Sequence, residues 1–264
     1  MKPENMANII AKKIYIFGTI INPLTMSEAV DYVSTWIKYA ESNCKFIVTP
    51  NVNCVVQLSR NQAYRDAFEN AAMVVVDGRP VVWSARLMGE KIPGTVTGSD
   101  LVPAIFHDFH EKADTELKVF LLGALPGVAA LAKTKIEQTY QHVRVTGFYS
   151  PPFGFEKDPV ECDRICKMIS ESKADFLIIG LGAPKQATWV NQYASQLPVK
   201  VAICAGATID FLSGNKPRAP KWMSNMGIEW IYRLTAEPRR LAKRYGGDAL
   251  VFPRLVWNEW KSRH

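Results

Sequence analysis

The chain is predicted to be α/β, a mainly parallel sheet with helices on both faces and a basic helical appendage at the C-terminal end. Two observations point to the sheet. Short apolar runs alternate with helical patterns at spacings of roughly twenty-five to thirty residues, the rhythm of βαβ units. The runs 119–122 (VFLL), 176–179 (FLII) and 201–204 (VAIC) are apolar throughout, as strands are when both faces are covered. A third observation, the charge distribution, predicts the appendage. Residues 214–264 hold eleven Lys/Arg against four acids, so the whole +7 excess sits there and the rest of the chain is neutral. Four of the seven tryptophans, Trp222, Trp230, Trp257 and Trp260, sit there too.

The elements follow in order. Residues 14–21 read as a first strand, and Asn22-Pro23 turns the chain. Thr25 or Ser27 can cap a helix to about Tyr39. Residues 45–49 (KFIVT) are a strand, followed by one helical pattern from Cys54 to Phe68. Residues 73–76 are a buried-type strand ending at Asp77-Gly78, and Pro80 opens a helix where its missing N–H costs little. Ser99-Asp100 would cap the next helix. Strands at 117–122, 142–148 and 175–179 each precede a turn and a helical pattern, and 199–204 is the last clear strand, ended by Ala205-Gly206-Ala207. After Phe211 the alternation stops. Residues 220–232, 237–245 and 249–260 read as three helices, which places a catalytic-type core at 1–213 and an appendage at 214–264.

Basic residues interleaved with aromatic rings suit an anionic headgroup surface. They equally suit a solvated helical end, and phosphate of nucleic acid attracts the same residues. No apolar run reaches the length of a membrane span, and Met1 to Lys13 lacks a signal core. The expectation is a cytoplasmic protein, peripheral at the inner face of the membrane. Five scattered cysteines, mostly inside apolar runs, read as reduced and buried thiols. His107 and His110 beside Asp108 and Glu111 read as a wet helix end, so no metal site is assigned.

In parallel sheets, ligands bind beyond the carboxyl ends of the strands. Two such ends carry glycine-rich turns into helices, Gly123 to Gly127 and Gly180 to Gln186, including Gly182 and Lys185. Small residues and free helix N–H groups admit an anion such as a diphosphate. Neither turn is GxGxxG or a Walker loop, and glycine is also simply the easy way out of a strand. Asp77 follows four apolar residues. It is either a carboxylate aimed into the crevice, able to take a proton from a hydroxyl, or a turn-forming Asp-Gly. Thr49 and Asn51 at a neighbouring strand end, and Gln186, could bind sugar hydroxyls. Asp210, after Gly206-Ala207-Thr208, could accept from ribose or a base, or simply favour the helix dipole.

These residues carry a family resemblance. The runs Thr49-Pro50-Asn51, Val76-Asp77-Gly78, Val96 to Asp100, Gly180 to Gln186 and Gly206 to Phe211 are similar to those of the WecG/TagA/CpsF glycosyltransferase family. The closing run, Arg218-Ala-Pro to Glu229-Trp-Ile-Tyr-Arg233-Leu and Glu237-Pro-Arg-Arg240, is the most specific part. The resemblance implies an inverting, metal-independent transferase with no cofactor. It would move a sugar from a UDP-sugar to a polyprenyl-diphosphate-linked saccharide, in surface polysaccharide assembly. It also implies a Rossmann-like core with a C-terminal appendage that reaches the membrane and closes over the site. By the same resemblance Asp77 is the base, Thr49, Asn51 and Gln186 line the sugar pocket, Asp210 holds the uridine, and Arg233 and Arg240 meet the diphosphate. Nucleic acid is then no partner, and a homo-oligomer stays open.

One departure stands out. The family often has an arginine where this chain has Thr95, and threonine offers neither charge nor a bidentate fork. Arg79, directly after Asp77-Gly78, is an unusual residue for its position and could substitute for that arginine. This leaves the donor sugar open between hexose and N-acetylhexosamine types. Two other readings compete: a nicotinamide-dependent oxidoreductase, which would lack GxGxxG after its first strand, and a non-enzymatic membrane-surface or nucleic-acid-binding protein using the basic tail.

Overall fold

A computed structural model describes residues 10, 12–39, 44–112, 115–220, 222–223 and 226–263, the Arg240 side chain excepted. The first apolar run is a hairpin rather than one strand of the main sheet. Strand β1 (Ile14–Ile16) pairs antiparallel with β2 (Thr19–Ile21). Phe17 and Gly18 turn at φ 54° and 71°, a two-residue link with both central φ positive. Phe17 hides the turn because it is itself apolar.

The main sheet holds six strands, β3 (Lys45–Val48), β4 (Met73–Val74), β5 (Leu117–Gly123), β6 (Val143–Tyr149), β7 (Phe176–Gly180) and β8 (Val201–Cys204). Their order is β4-β3-β8-β7-β5-β6, and every neighbouring pair is parallel. Alternate side chains enter two separate cores, as the two-residue pleat requires. Phe46, Val48, Phe120, Leu122, Leu177, Ile179, Ala202 and Cys204 point into one. Helices α2 (Val52–Leu58), α3 (Gln62–Glu69), α4 (Arg79–Leu87), α7 (Pro159–Ser172) and α8 (Lys185–Tyr193) pack there. Ile47, Val119, Leu121, Phe176, Ile178, Val201 and Ile203 point into the other, under α1 (Met26–Tyr39), α5 (Gly98–Lys112), α6 (Val128–Thr139) and α9 (Thr208–Ser213). The fold is therefore the α/β Rossmann-like sandwich expected.

Local chemistry sets several boundaries differently from expectation. The single helix expected over 54–68 is two, because Asn61 accepts from the Tyr64 N–H at 3.1 Å and starts a new helix. Helix α5 is capped not by Ser99 or Asp100 but by Thr97, whose Oγ1 accepts from the Asp100 N–H at 3.0 Å. The edge strand β4 is short, and Asn22 covers it. Asn22 donates its backbone N–H to the Val74 carbonyl, and its Oδ1 accepts the Val74 N–H, both at 2.8 Å. Such covering blunts an exposed edge.

The C-terminal end departs furthest. The helix expected over 220–232 is interrupted: Trp222 and Met223 are helical, Met226-Gly227 turn, and α10 (Glu229–Ala236) follows, while Lys221, Ser224 and Asn225 lie outside the described residues. The two helices expected over 237–245 and 249–260 are one, α11 (Pro238–Arg263), which runs through Gly246-Gly247 and Pro253. Tertiary anchors outweigh those breakers. Leu241, Asp248 and Phe252 are buried, and the Phe252 ring lies 5.8 Å from that of Phe17. Glu259 accepts from the Phe17 N–H at 3.2 Å. Arg263 bonds the Tyr15 carbonyl and pairs with Glu90 at 2.7 Å. The hairpin is thus the seat of the last helix. Cys54, Cys162, Cys166 and Cys204 are buried free thiols, with Cys44 partly exposed.

Candidate active site

The carboxyl edge of the sheet divides into two halves. On the β3/β4 side lies a cavity of about 500 Å³, lined among others by Asn51, Asn53, Asp77, Arg79, Thr95, Asp100, Glu229, Arg233 and Arg244. Strand β4 delivers Asp77, and the Asp77 N–H donates to the Pro50 carbonyl at 2.8 Å, so the two strand ends hold each other. Gly78 follows at φ 144°, a conformation glycine adopts without strain. Asn51 caps α2, its Oδ1 accepting from the Cys54 N–H at 3.2 Å. Gly98 brings α5 alongside: a Cβ there would lie 3.1 Å from the Ala205 Cα. That close approach aims Thr97 and Asp100 at the cavity.

Asp77 lines the cavity and is half-buried. Burial pushes its pKa up from the ordinary 3.8 to about 7, Arg233 opposes the rise, and Glu229 and Asp100 add to it. A carboxylate titrating near neutrality in a cleft has the property that a general base needs. Arg233 comes from α10 and pairs with Glu229 at 2.6 Å. Burial disfavours its charge, but Glu229 and Asp77 outweigh that and hold the guanidinium above the usual arginine value. Its side chain also lies over the Phe211 ring, 5.5 Å from the centroid.

The roof is made by α10 and α11, which contribute Trp230, Tyr245, Ala249, Phe252 and Pro253. Asn53 locks that roof, its Nδ2 lying 3.1 Å from each oxygen of Asp248. Asp248 is 7 % exposed. Burial raises its pKa, while the Asn53 bond, Arg244 and Arg60 oppose the rise.

The other half, at β5, β7 and β8, is built of glycines. A Cβ on Gly123 would lie 2.5 Å from the Gly180 carbonyl oxygen, and one on Gly180 would lie 2.9 Å from that of Gly206. Strand packing alone therefore requires Gly123 and Gly180. Gln186 Oε1 accepts from the N–H groups of Gly182 and Gly206, both at 3.2 Å, tying the β7 and β8 turns together. Lys185 pairs with Glu156 at 3.0 Å and lies over the Phe153 ring at 4.2 Å. Asp210 is buried beside Lys216, 3.8 Å away, and Lys216 also reaches Glu237 at 2.9 Å.

Of the residues singled out in the sequence, the cavity gathers Asn51, Asp77 and Arg233. Thr49 lies just outside it, its hydroxyl donating to the Cys204 carbonyl at 3.3 Å. Gly123, Gly182, Lys185, Gln186, Gly206 and Asp210 belong to the glycine half. The side chain of Arg240 lies outside the described residues. Sequence reasoning passed over Glu229, Asp248, Trp230 and Tyr245 as site residues. The Glu229 to Arg233 spacing, i to i+4, was a readable sign of the first; nothing local marked the others.

The sequence profile of the glycosyl transferase WecG/TagA/CpsF family matches residues 14–264. This chain belongs to that family. It is therefore a glycosyltransferase, on the fold expected. Curated relatives include an N-acetylglucosaminyldiphosphoundecaprenol N-acetyl-β-D-mannosaminyltransferase of Staphylococcus aureus strain MRSA252. It is 29% identical over 234 residues, 88% of this chain and 87% of the relative. A protein of the same name from strain NCTC 8325 is 28% identical over the same shares.

Proposed function

We propose that this WecG/TagA/CpsF glycosyltransferase moves a hexose or N-acetylhexosamine from a UDP-sugar to a polyprenyl-diphosphate-linked saccharide, with inversion. The observation that carries the reading is Asp77, a carboxylate pushed up to about 7 in a cavity that also holds Arg233. The names of the relatives support a lipid-diphosphate acceptor. Asp77 takes the proton of an acceptor hydroxyl. That oxygen bonds to the anomeric carbon from the face opposite UDP, the carbon–phosphate-oxygen bond breaks, and UDP leaves with the electron pair. Inversion follows from a single displacement.

Asn51, with Thr49 and Gln186 at its border, lines the sugar side. The nucleotide lies toward Gly123, Gly182, Lys185, Gly206 and Asp210. Arg233 and Arg240 meet the diphosphate and stabilise the leaving group, the role a preorganised charge plays where negative charge develops. No divalent cation is needed in this scheme.

Residues 214–264 act as an appendage that both roofs the cavity and meets the inner membrane face. Trp222, Met226, Trp230, Ile231, Leu250 and Trp257 are exposed there among the basic residues, which suits an anionic headgroup layer. Among the described residues no helix is long and apolar enough to cross a membrane, so contact would be peripheral. The test is UDP release from a panel of UDP-sugars, with and without a lipid-diphosphate-linked saccharide in detergent. Release with one donor, dependent on acceptor and indifferent to EDTA, is expected. Absence of release from every donor, with no UDP binding, would overturn the reading.

A further inference from the structure

The charges lining the cavity are mostly matched within the protein. Glu229 pairs with Arg233, Asp100 with Arg218, and Asp248 with Asn53. Arg79 is not. Its Nε is buried without a hydrogen-bond partner, and no guanidinium nitrogen bonds or pairs with a described residue. It stands two residues from Asp77, yet the leading charges on Asp77 are those of Arg233, Glu229, Asp100 and Arg218.

Its stem, by contrast, is held. A Cβ on Gly227 would lie 3.1 Å from the Arg79 Cβ, 3.3 Å from its Cδ and 2.9 Å from the Trp83 ring. The backbone of the C-terminal segment thus lies directly on this side chain, at a residue whose φ of 73° suits glycine. Arg79 sits at the first turn of α4, where Pro80 supplies no N–H of its own. A held guanidinium whose Nε is buried and unbonded is incomplete until an acceptor arrives, because buried donors in native proteins are almost always bonded. A guanidinium is the fork that best fits phosphate oxygens.

We propose that Arg79, a residue of the core that lines the cavity, binds a diphosphate oxyanion of a substrate. The assignment rests on the transferase reading and extends it. Two sources carry that chemistry, the UDP moiety and the lipid-linked acceptor, and one experiment separates them. UDP and inorganic pyrophosphate are titrated calorimetrically against the full chain and its Arg79→Met and Arg79→Lys variants. The acceptor KM and the ligand-free Tm are measured alongside.

Arg79→Met is expected to hold or raise the ligand-free Tm, since a buried unbonded donor is removed. Losing a charged, forked contact should weaken its diphosphate contact about 10- to 100-fold, with Arg79→Lys between. Weaker UDP and pyrophosphate binding places Arg79 on the donor. Intact UDP binding with an acceptor KM raised by that factor places it on the acceptor. Binding and KM all within twofold of a wild-type protein that still turns over would overturn Arg79 alone. So would a loss in Arg79→Met that tracks a fallen ligand-free Tm and that Arg79→Lys does not relieve. A wild-type protein that binds neither ligand and transfers no sugar would remove the transferase reading, and this assignment with it.

Discussion

The two halves of the sheet's carboxyl edge use their backbone and charge in opposite ways. At β5, β7 and β8 the glycines are stacked so closely that Gly123 has no room for a Cβ. The donors there are already engaged: Gln186 takes two backbone N–H groups, and Lys185 is tied to Glu156. At β3 and β4 the turn is an ordinary Asp-Gly, but a helical roof encloses it and leaves Asp77 and Arg79 with unspent chemistry. Glycine-rich turns advertise themselves in a sequence; the half with reactive charge is made by what covers it.

The largest expected effect is at Asp77. Asp77→Asn should lower turnover by about 10²- to 10⁴-fold while UDP affinity, read by calorimetry, stays near wild type. Turnover that survives would move the chemistry to the glycine half. The same group sets the pH dependence. The base must be deprotonated, so wild-type kcat/KM should climb with pH up to about 7 and then level. Its raised value also means that the native state holds this proton more tightly than the unfolded chain. Native stability from this group is full below about 4 and lost as pH rises through about 7. Asp77→Asn should therefore be more resistant to urea than wild type at pH 8, and should lose that advantage below pH 4.

Next come the glycines. Gly123→Ala should cost about 3 kcal/mol, from overpacking against the Gly180 carbonyl and from its positive φ. Gly127→Ala, also at positive φ but with open space around it, should cost only about 1 kcal/mol. Equal costs in urea unfolding would mean that strain, not close packing, explains the glycine half.

Asp248→Ala tests the roof. Leaving Asn53 without its charged acceptor should cost about 2 kcal/mol and make residues 238–263 more open to limited proteolysis. Unchanged cleavage would show that Phe252, Glu259 and Arg263 suffice to seat α11. The smallest effect is Lys185→Ala. A part-exposed ion pair is worth at most about 1 kcal/mol, so Tm should scarcely move, while UDP affinity should fall about threefold. No change in affinity would confine anion binding to the roofed half.

The sheet was legible because its strands are apolar on both faces, and Asp77, Asn51 and Arg233 were legible because they follow strands or sit in a motif-rich tail. Where the reading slipped, a local pattern was silent or misleading. Phe17 concealed a hairpin turn inside an apolar run. Asn61 began a new helix within what looked like one. Gly246, Gly247 and Pro253 looked like breaks in a helix that continues through them.

By itself, then, the amino-acid order determined the βαβ alternation and the concentration of charge in residues 214–264. These are local properties: hydrophobic period, turn chemistry and composition. Only the tertiary structure decided that the tail folds back on the hairpin, that Asn53 and Asp248 bind it over the β3/β4 crevice, and that Arg79 has no ion-pair partner among the described residues. Each depends on groups distant in sequence, Asn53 with Asp248 and Phe17 with Phe252 and Glu259. Whether a charge is matched is settled by its neighbours in space, and the order of residues does not list them.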